Sequence, residues 1–334
     1  MEFESESETG TGKMTDHEII CVSSIDGLKT YHMTDIAVAA GIFDGVHSGH
    51  VKLLTTLKTL AAELHAVPVA MTFYPHPREL LDPENAPPML VSFERKAELL
   101  RLYGMKALIR IPFTREFAAL KPEEFLRTSF FSSESVRLRG LCVGSAWRFG
   151  AGGSGDTRFL SRVAAEHHFE FLAVEEQTDH GEVVSSTLIR RAIAEGDIPK
   201  ANRLLGRRYQ LIGEVRHGMG VAGSRLGHPT ANLDVSSGLT PKHGVYAGIA
   251  CFDGERHPAV ANIGFAPTFP GYGLKEARVE IHLLDGERSL YGKKLSFELL
   301  AFLREEKRFE NPEALAGQIR MDADRASRLL ETLS

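Results

Sequence analysis

The chain changes rhythm once, and that change limits its fold more than any other feature. From residue 36 to about 205, apolar runs alternate with segments of helical period. "IAVAAG" reads as a buried strand, and Val51, Leu54, Leu57, Ala61 and Leu64 follow at the spacing of one helix face. "VPVAMTF" is a second strand. "SFERKAELLRLYG" is a helix with Ser92 as its N-cap and Gly104 as its stop. "KALIRI", "VRLRGLCV" and "FEFLAV" are further strands, with helices expected around 115–131 and 157–168. Alternating strand–helix units predict a parallel sheet covered by helices. After about 207 the runs "YQLIGEVRHG", "GVYAGIACFDG", "RHPAVANIG", "ARVEIHLLDG" and "KKLSFELLAFLR" are separated only by Gly, Pro and Asp-Gly turns. A closing helix begins at "NPEALAG", with Pro312 in its first turn. This half predicts a small antiparallel barrel plus one helix. The switch falls near "LLGRRY", which sets the expected divisions at 1–16, 17–205 and 206–334.

Composition removes several classes. The 334 residues are 43% apolar and 25% charged, with a net charge of −5 and a pI near 6.3. A domain that lives on nucleic-acid backbone is usually basic, so nucleic acid is not an expected partner. No run of about 18 apolar residues predicts a membrane span. Cys21, Cys142 and Cys251 have no ligand spacing and read as reduced core thiols, which suits the cytoplasm. The acidic start, "MEFESESETGTGKMTDHE", lacks the basic and apolar regions of a signal peptide and reads as a disordered tail over 1–16.

Chemistry concentrates in "GIFDGVHSGH", Gly41–His50, between the first strand and its helix. Ligands of parallel sheets sit outside the carboxyl ends of the strands. Amides at a helix start point at bound anions. His47 and His50, three residues apart, can face one side and donate to a polyphosphate whose charge rises during reaction. Surface histidines, or a metal site of Asp44, His47 and His50, fit the same spacing; the strand-to-helix position favours phosphate. In "VSSTLIRRAIAEGD", Ser185 and Ser186 read as a helix cap and Arg190 as a solvated charge. "YPHP" reads as a stiff turn with His76 exposed. "HGMGVAGSRLGHPTANLD" is a glycine-rich loop whose amides can wrap phosphate. On strand alternation Glu280 points away from the face of Val279 and Ile281.

Taken together these stretches resemble a known family. "FDGVHSGH" is similar to the nucleotidyltransferase signature H-x-G-H in its prokaryotic FAD synthetase form, supported by "TFYPHP", "VGSAWRFG" and "VSSTLIRRAIAEGD". The second half resembles riboflavin kinase through "HPTAN", "NIGFAPTF", "RVEIHLLDGERSLYGKKL" and "FLREEKRF". In this order they resemble the bifunctional riboflavin kinase/FAD synthetases. The resemblance implies a Rossmann-like nucleotidyltransferase domain, then a β-barrel riboflavin kinase domain with a C-terminal helix. It implies that Gly41, Phe43, Asp44, His47, His50, Ser185, Ser186, Thr187 and Arg190 meet the ATP of adenylylation. It assigns Gly218, Gly220, Gly223, Gly227, Pro229, Thr230 and Asn232 to the kinase ATP, with Thr230 and Asn232 also meeting Mg²⁺. Flavin contacts fall to Trp147, Asn262, Pro267, Thr268, Phe269 and Glu280, with Glu280 as general base.

The implied partners are riboflavin, FMN and ATP, with FAD as product, no nucleic acid and no membrane; a transient homo-oligomer is a further candidate, and the sequence does not fix the oligomeric state. Two departures fall where FMN is expected. Ala146 stands at an Asp/Asn position, and Gly153 stands near a place that is often basic. In the kinase loop His228 replaces a Phe. Ala146 keeps one rival open, a riboflavin kinase with a degenerate first half that is structural or regulatory; against a second, a non-catalytic flavin or nucleotide binder, stand the intact Thr230, Asn232 and Glu280.

Overall fold

The computed structural model describes residues 18–216, 230–265, 277–286, 288–307 and 309–333. Six strands form the first sheet: β1 (Ile20–Val22), β2 (Asp35–Ala40), β3 (Val67–Tyr74), β4 (Ala107–Pro112), β5 (Arg137–Gly144) and β6 (Glu170–Val174). Their order is β1-β4-β3-β2-β5-β6, and every pairing is parallel. Helices α1 (Ser48–Glu63), α2 (Pro77–Leu81), α3 (Phe93–Leu102), α4 (Arg115–Ala118), α5 (Pro122–Phe130) and α6 (Thr157–His167) connect them.

β2 is apolar throughout because both its faces are covered. Ile36, Val38 and Ala40 pack with residues of α5 and α6, while Ala37 and Ala39 pack with residues of α1 and α3. Ser92 caps α3 by accepting from the Arg95 amide at 3.1 Å, and Gly104 follows the helix at φ +95°. The single helix expected over 115–131 is two. Pro122 sits at the first position of α5 and restricts Lys121 to extended backbone, so α4 cannot run on.

A small hairpin, β7 (Thr178–Asp179) with β8 (Glu182–Val183), leads into α7 (Ser186–Glu195) and α8 (Ile198–Leu205). Then β9 (Gln210–Arg216), β10 (Ala231–Ser237), β11 (Gly244–Phe252), β12 (Glu255–Phe265), β13 (Ala277–Leu283) and β14 (Lys294–Arg304) close a barrel in the order β10-β13-β12-β11-β14-β9. Every barrel pairing is antiparallel, and closure leaves no strand edge open. A C-terminal helix, Pro312–Leu333, packs outside through Ala326 and Leu329 against Val245, Ala247 and Leu303.

The apolar cores do not divide where the strand rhythm changes. Ile189, Ile193, Ile198, Ala201, Leu204 and Leu205, all fully buried, share one cluster with Phe297 and Leu299 of the barrel. Asn202 fastens this joint: its amide nitrogen donates to the Leu299 carbonyl (2.9 Å), and its oxygen accepts from the Tyr209 amide (2.7 Å). Helices α7 and α8 are therefore built on the barrel. Of the three free cysteines only Cys142 lies deep in a core; Cys21 is exposed and Cys251 is intermediate, so the expectation of three core thiols holds for one. Among the described residues no helix is long and apolar enough to cross a membrane.

Candidate active sites

β2 lies between β3 and β5, where the strand order reverses, and Gly41–His50 leaves its carboxyl end there. The loop backbone is unusual. Phe43 (φ +52°) and Val46 (φ +40°) are left-handed without being glycine, and both are fully buried. For a β-branched residue this is a costly conformation, held only when the surroundings fix it. Gly45 (φ +79°) also lacks room for a side chain, since a Cβ would stand 2.7 Å from Leu90.

What fixes the loop is a ring of donors aimed at its carbonyls. Ile42 accepts from Thr72 Oγ1 and Lys96 Nζ, each at 3.0 Å. Asp44 accepts from Ser186 Oγ at 2.9 Å. Gly45 and Val46 accept from the two terminal nitrogens of Arg207 at 2.5 and 2.9 Å. The Phe43 carbonyl is taken inside the loop by the Val46 amide.

The two histidines stack, with ring centroids 3.7 Å apart, and Phe43 meets His50 edge-on. His47 is the N-cap of α1, its Nδ1 accepting from the His50 amide at 3.4 Å. That bond places the proton of the neutral ring on Nε2, as a donor. Among the described residues Nδ1 of His50 is a buried atom without a hydrogen-bond partner, which leaves it open to a ligand. Burial pushes His47 down to about 4, helped by the Arg207 charge, and holds His50 well below its ordinary value. His76, whose Nδ1 caps α2, is lowered to about 4 by burial and then by Arg190, Lys96 and Arg78. Both rings of the loop are thus neutral at pH 7 and lie in a field of cations.

Ser185 caps α7, accepting from the Leu188 amide at 3.2 Å, so its expected capping role holds; Ser186 instead reaches across to the loop. Arg190 is not a solvated charge. Its guanidinium is paired with the Asp44 carboxylate and donates to the Pro88 carbonyl at 2.8 Å. Asp44 also accepts from the Leu90 amide at 2.9 Å. Burial pushes the Asp44 carboxyl up, and the Arg190 charge opposes this. With its carboxylate so occupied, Asp44 does not form a metal site with His47 and His50. Thr187 is exposed at the start of α7. Trp147 stacks on Phe149 at 5.0 Å and meets Phe125 edge-on, while Ala146 beside it is exposed.

The second site is a cavity of about 320 Å³ between the barrel wall and the C-terminal helix. Val279 and Ile281 are buried inside the barrel, so Glu280 faces outward into this cavity. It stands directly opposite Asn262 of β12 on one side and Asn232 of β10 on the other. Three polar side chains thus lie abreast across three strands, at the spacing of cross-strand neighbours. Thr230 lines the same cavity, and its apolar wall includes Phe309, Leu315 and Ile319. Asn262 donates to Glu306 at 3.4 Å, and Arg304 is paired with Asp322 of the C-terminal helix at 2.7 Å. Gly218, Gly220, Gly223, Gly227, His228, Pro229, Pro267, Thr268 and Phe269 lie outside the described residues, as does the tail 1–16.

Comparison with known proteins supplies the family. The FAD synthetase family matches residues 29–188 and the riboflavin kinase family residues 205–330. A bifunctional riboflavin kinase/FMN adenylyltransferase of Pseudomonas fluorescens is 35% identical over 92% of this chain and 97% of its own length. The protein of that name from Escherichia coli K12 is 33% identical, over 90% of this chain and 95% of that one. The chain belongs to the bifunctional riboflavin kinase/FMN adenylyltransferase family. A crystal structure titled as a macrolide-efflux protein from Streptococcus pneumoniae shares the fold at a TM-score of 0.81 and 26% identity, covering 92% of this chain and 98% of that one. Its title describes that protein. Both family segments contain a built site: Gly41–His50 lies in the FAD synthetase match, and Thr230, Asn232, Asn262 and Glu280 lie in the riboflavin kinase match. Lys96, Thr72 and Arg207 have no counterpart in the reading of the sequence. Their partners are backbone carbonyls, which carry no residue signature.

Proposed function

We propose that the two sites act in succession on one flavin: the barrel phosphorylates riboflavin to FMN, and the α/β half adenylylates FMN to FAD. In the first step the ribityl 5′-oxygen attacks the γ-phosphorus of ATP, the bond to the β–γ bridging oxygen breaks, and ADP leaves. Glu280 takes the hydroxyl proton, for which a positioned base contributes about 10²–10⁴-fold. Asn232 and Asn262, abreast of Glu280, orient phosphate and flavin, and Phe309, Leu315 and Ile319 give the ring an apolar wall. The hydroxyl of Thr230 and the amide oxygen of Asn232 are hard donors that suit Mg²⁺, an ion that keeps waters and takes few protein ligands. Mg²⁺ bound there supplies charge neutralisation on the phosphates.

In the second step an FMN phosphate oxygen attacks the α-phosphorus of a second ATP, the α–β bond breaks, and pyrophosphate leaves. His47, His50 and the amides at the start of α1 receive the charge that develops on the phosphates. Trp147 offers the flavin its open edge, backed by Phe149. We take 17–205 as the adenylyltransferase segment and 206–334 as the kinase segment. Three free thiols suit a cytoplasmic enzyme.

The observation that carries this reading is the cation field at Gly41–His50, built in the same chain as the Asn232–Glu280–Asn262 row. Buried Lys96 and half-buried Arg207 hold the loop carbonyls and leave their charge beside two neutral histidines, an arrangement that suits a polyphosphate. The test is to incubate the chain with riboflavin and MgATP and separate the flavins. FMN and FAD together are expected. FMN alone would leave the α/β half without its reaction, and no product would remove both.

A further inference from the structure

We infer that Arg207 is a positioning residue for adenylyl transfer, delivered to the α/β site by the kinase segment. The inference rests on reading Gly41–His50 as the adenylylation loop. Arg207 lies in the turn between α8 and β9, beyond the FAD synthetase match and inside the riboflavin kinase match. Its guanidinium forks across two consecutive carbonyls, Gly45 at 2.5 Å and Val46 at 2.9 Å. These carbonyls lie together on one side because Gly45 and Val46 are both left-handed. Of the four outside side chains that bind the loop's carbonyls, Thr72, Lys96 and Ser186 each reach one; Arg207 reaches two. Val46 immediately precedes His47, so the torsion that Arg207 fixes also aims the His47 ring and the first amides of α1.

Two further observations favour positioning over simple packing. The backbone around Arg207 is tied to the barrel, since Asn202 joins the Tyr209 amide to the Leu299 carbonyl. Arg207 also forms no ion pair with a carboxylate among the described residues, so its charge is left to act on the loop. Burial lowers it to about 10, which still leaves it protonated at neutral pH, and its charge helps keep His47 neutral. Lysine in its place keeps a charge but not the flat fork that spans two acceptors.

The test uses the full chain and measures FMN-to-FAD and riboflavin-to-FMN turnover separately. Arg207→Ala is expected to lower kcat for FAD synthesis about ten- to a hundredfold, the scale of one hydrogen bond from a charged donor. KM for FMN and the kinase kcat should stay within about twofold of the parent. Arg207 lines a cleft of about 570 Å³ between α3 and the barrel, wide enough for small solutes, so added guanidinium ion should restore part of the lost rate in Arg207→Ala and none in His50→Ala. Should Arg207→Ala fail to fold, Arg207→Lys carries the test, with an expected fall of about tenfold in FAD synthesis alone. Either variant making FAD at the parent rate, or losing both activities equally without guanidinium rescue, overturns the inference. A parent chain that makes FMN but no FAD removes the adenylylation reading and this inference with it.

Discussion

The loop at Gly41–His50 and the cavity at Glu280, which we propose hold phosphates near a reacting oxygen, are built in opposite ways. The loop is tightly held. Its carbonyls are bound from outside, His47 is buried and His50 half-buried, and its backbone is held in costly torsions. The cavity is open. Glu280 keeps 29% of its side-chain exposure, and among the described residues the cation paired with it, Arg278, stands 3.6 Å away. One site relies on a fixed electrostatic field, which suits a step whose main demand is stabilising phosphate charge. The other relies on strand register to place a carboxylate, which suits the proposed step that must accept a proton. The difference predicts that the two activities can be removed separately.

The largest effect is expected from Glu280→Gln, which keeps the shape but loses the base. Single-turnover FMN production should fall by about 10²–10⁴, with riboflavin and ATP still binding and FMN-to-FAD turnover unchanged. Undiminished phosphorylation would take Glu280 out of the base role. Next is His50→Ala, expected to cost about 10²–10³ in FAD synthesis and to leave the kinase nearly intact. An equal loss of both activities in a folded variant would break the contrast between the sites.

A smaller change, and a gain, is expected from Ala146→Asn. Position 146 is exposed beside Trp147, so an amide there can reach a ligand without disturbing the core. A restored hydrogen bond to a charged group is worth about 1.5–3 kcal/mol, so FAD synthesis by a slow parent should rise about ten- to a hundredfold. If the variant binds FMN no better and reacts no faster, Trp147 is the next residue to replace. The smallest effect is on stability. His47 is held near 4 in the folded chain against an ordinary 6.5, so folding favours the neutral ring. Its contribution is complete above about pH 6.5 and is lost as pH falls towards 4, by roughly 3 kcal/mol. In His47→Gln the melting temperature should depend less steeply on pH in that window; an unchanged slope would refute burial as the cause.

How far the sequence foretold this depends on what each residue touches. β2 was legible because it is covered on both faces and reads as an unbroken apolar run. The Ser92 cap and Gly104 stop of α3 follow from local chemistry alone. β10 was hidden because "ANLDVSS" alternates apolar and polar and sits at the end of a glycine loop, so it read as the loop's tail. Glu280 was legible as an outward residue, but the row with Asn232 and Asn262 needs the pairing of three strands. Arg207 was least legible. It lies in "LLGRRY", which reads as a boundary, and its partners are backbone atoms about 160 residues earlier.

The core shared by α7, α8 and the barrel has a consequence for how the molecule comes apart. Cooperative opening follows buried contacts rather than family boundaries. Ile193, Ile198 and Leu204 are sealed against Phe297 and Leu299, so α7 and α8 should exchange their amides with the barrel strands and not with the parallel sheet. Heat or denaturant that loosens the barrel first would draw away Ser186, Arg190 and Arg207 while β2 and α1 still stand. The last enzyme activity to assemble in a folding chain would then be the one whose signature is made first, because its loop waits for the barrel.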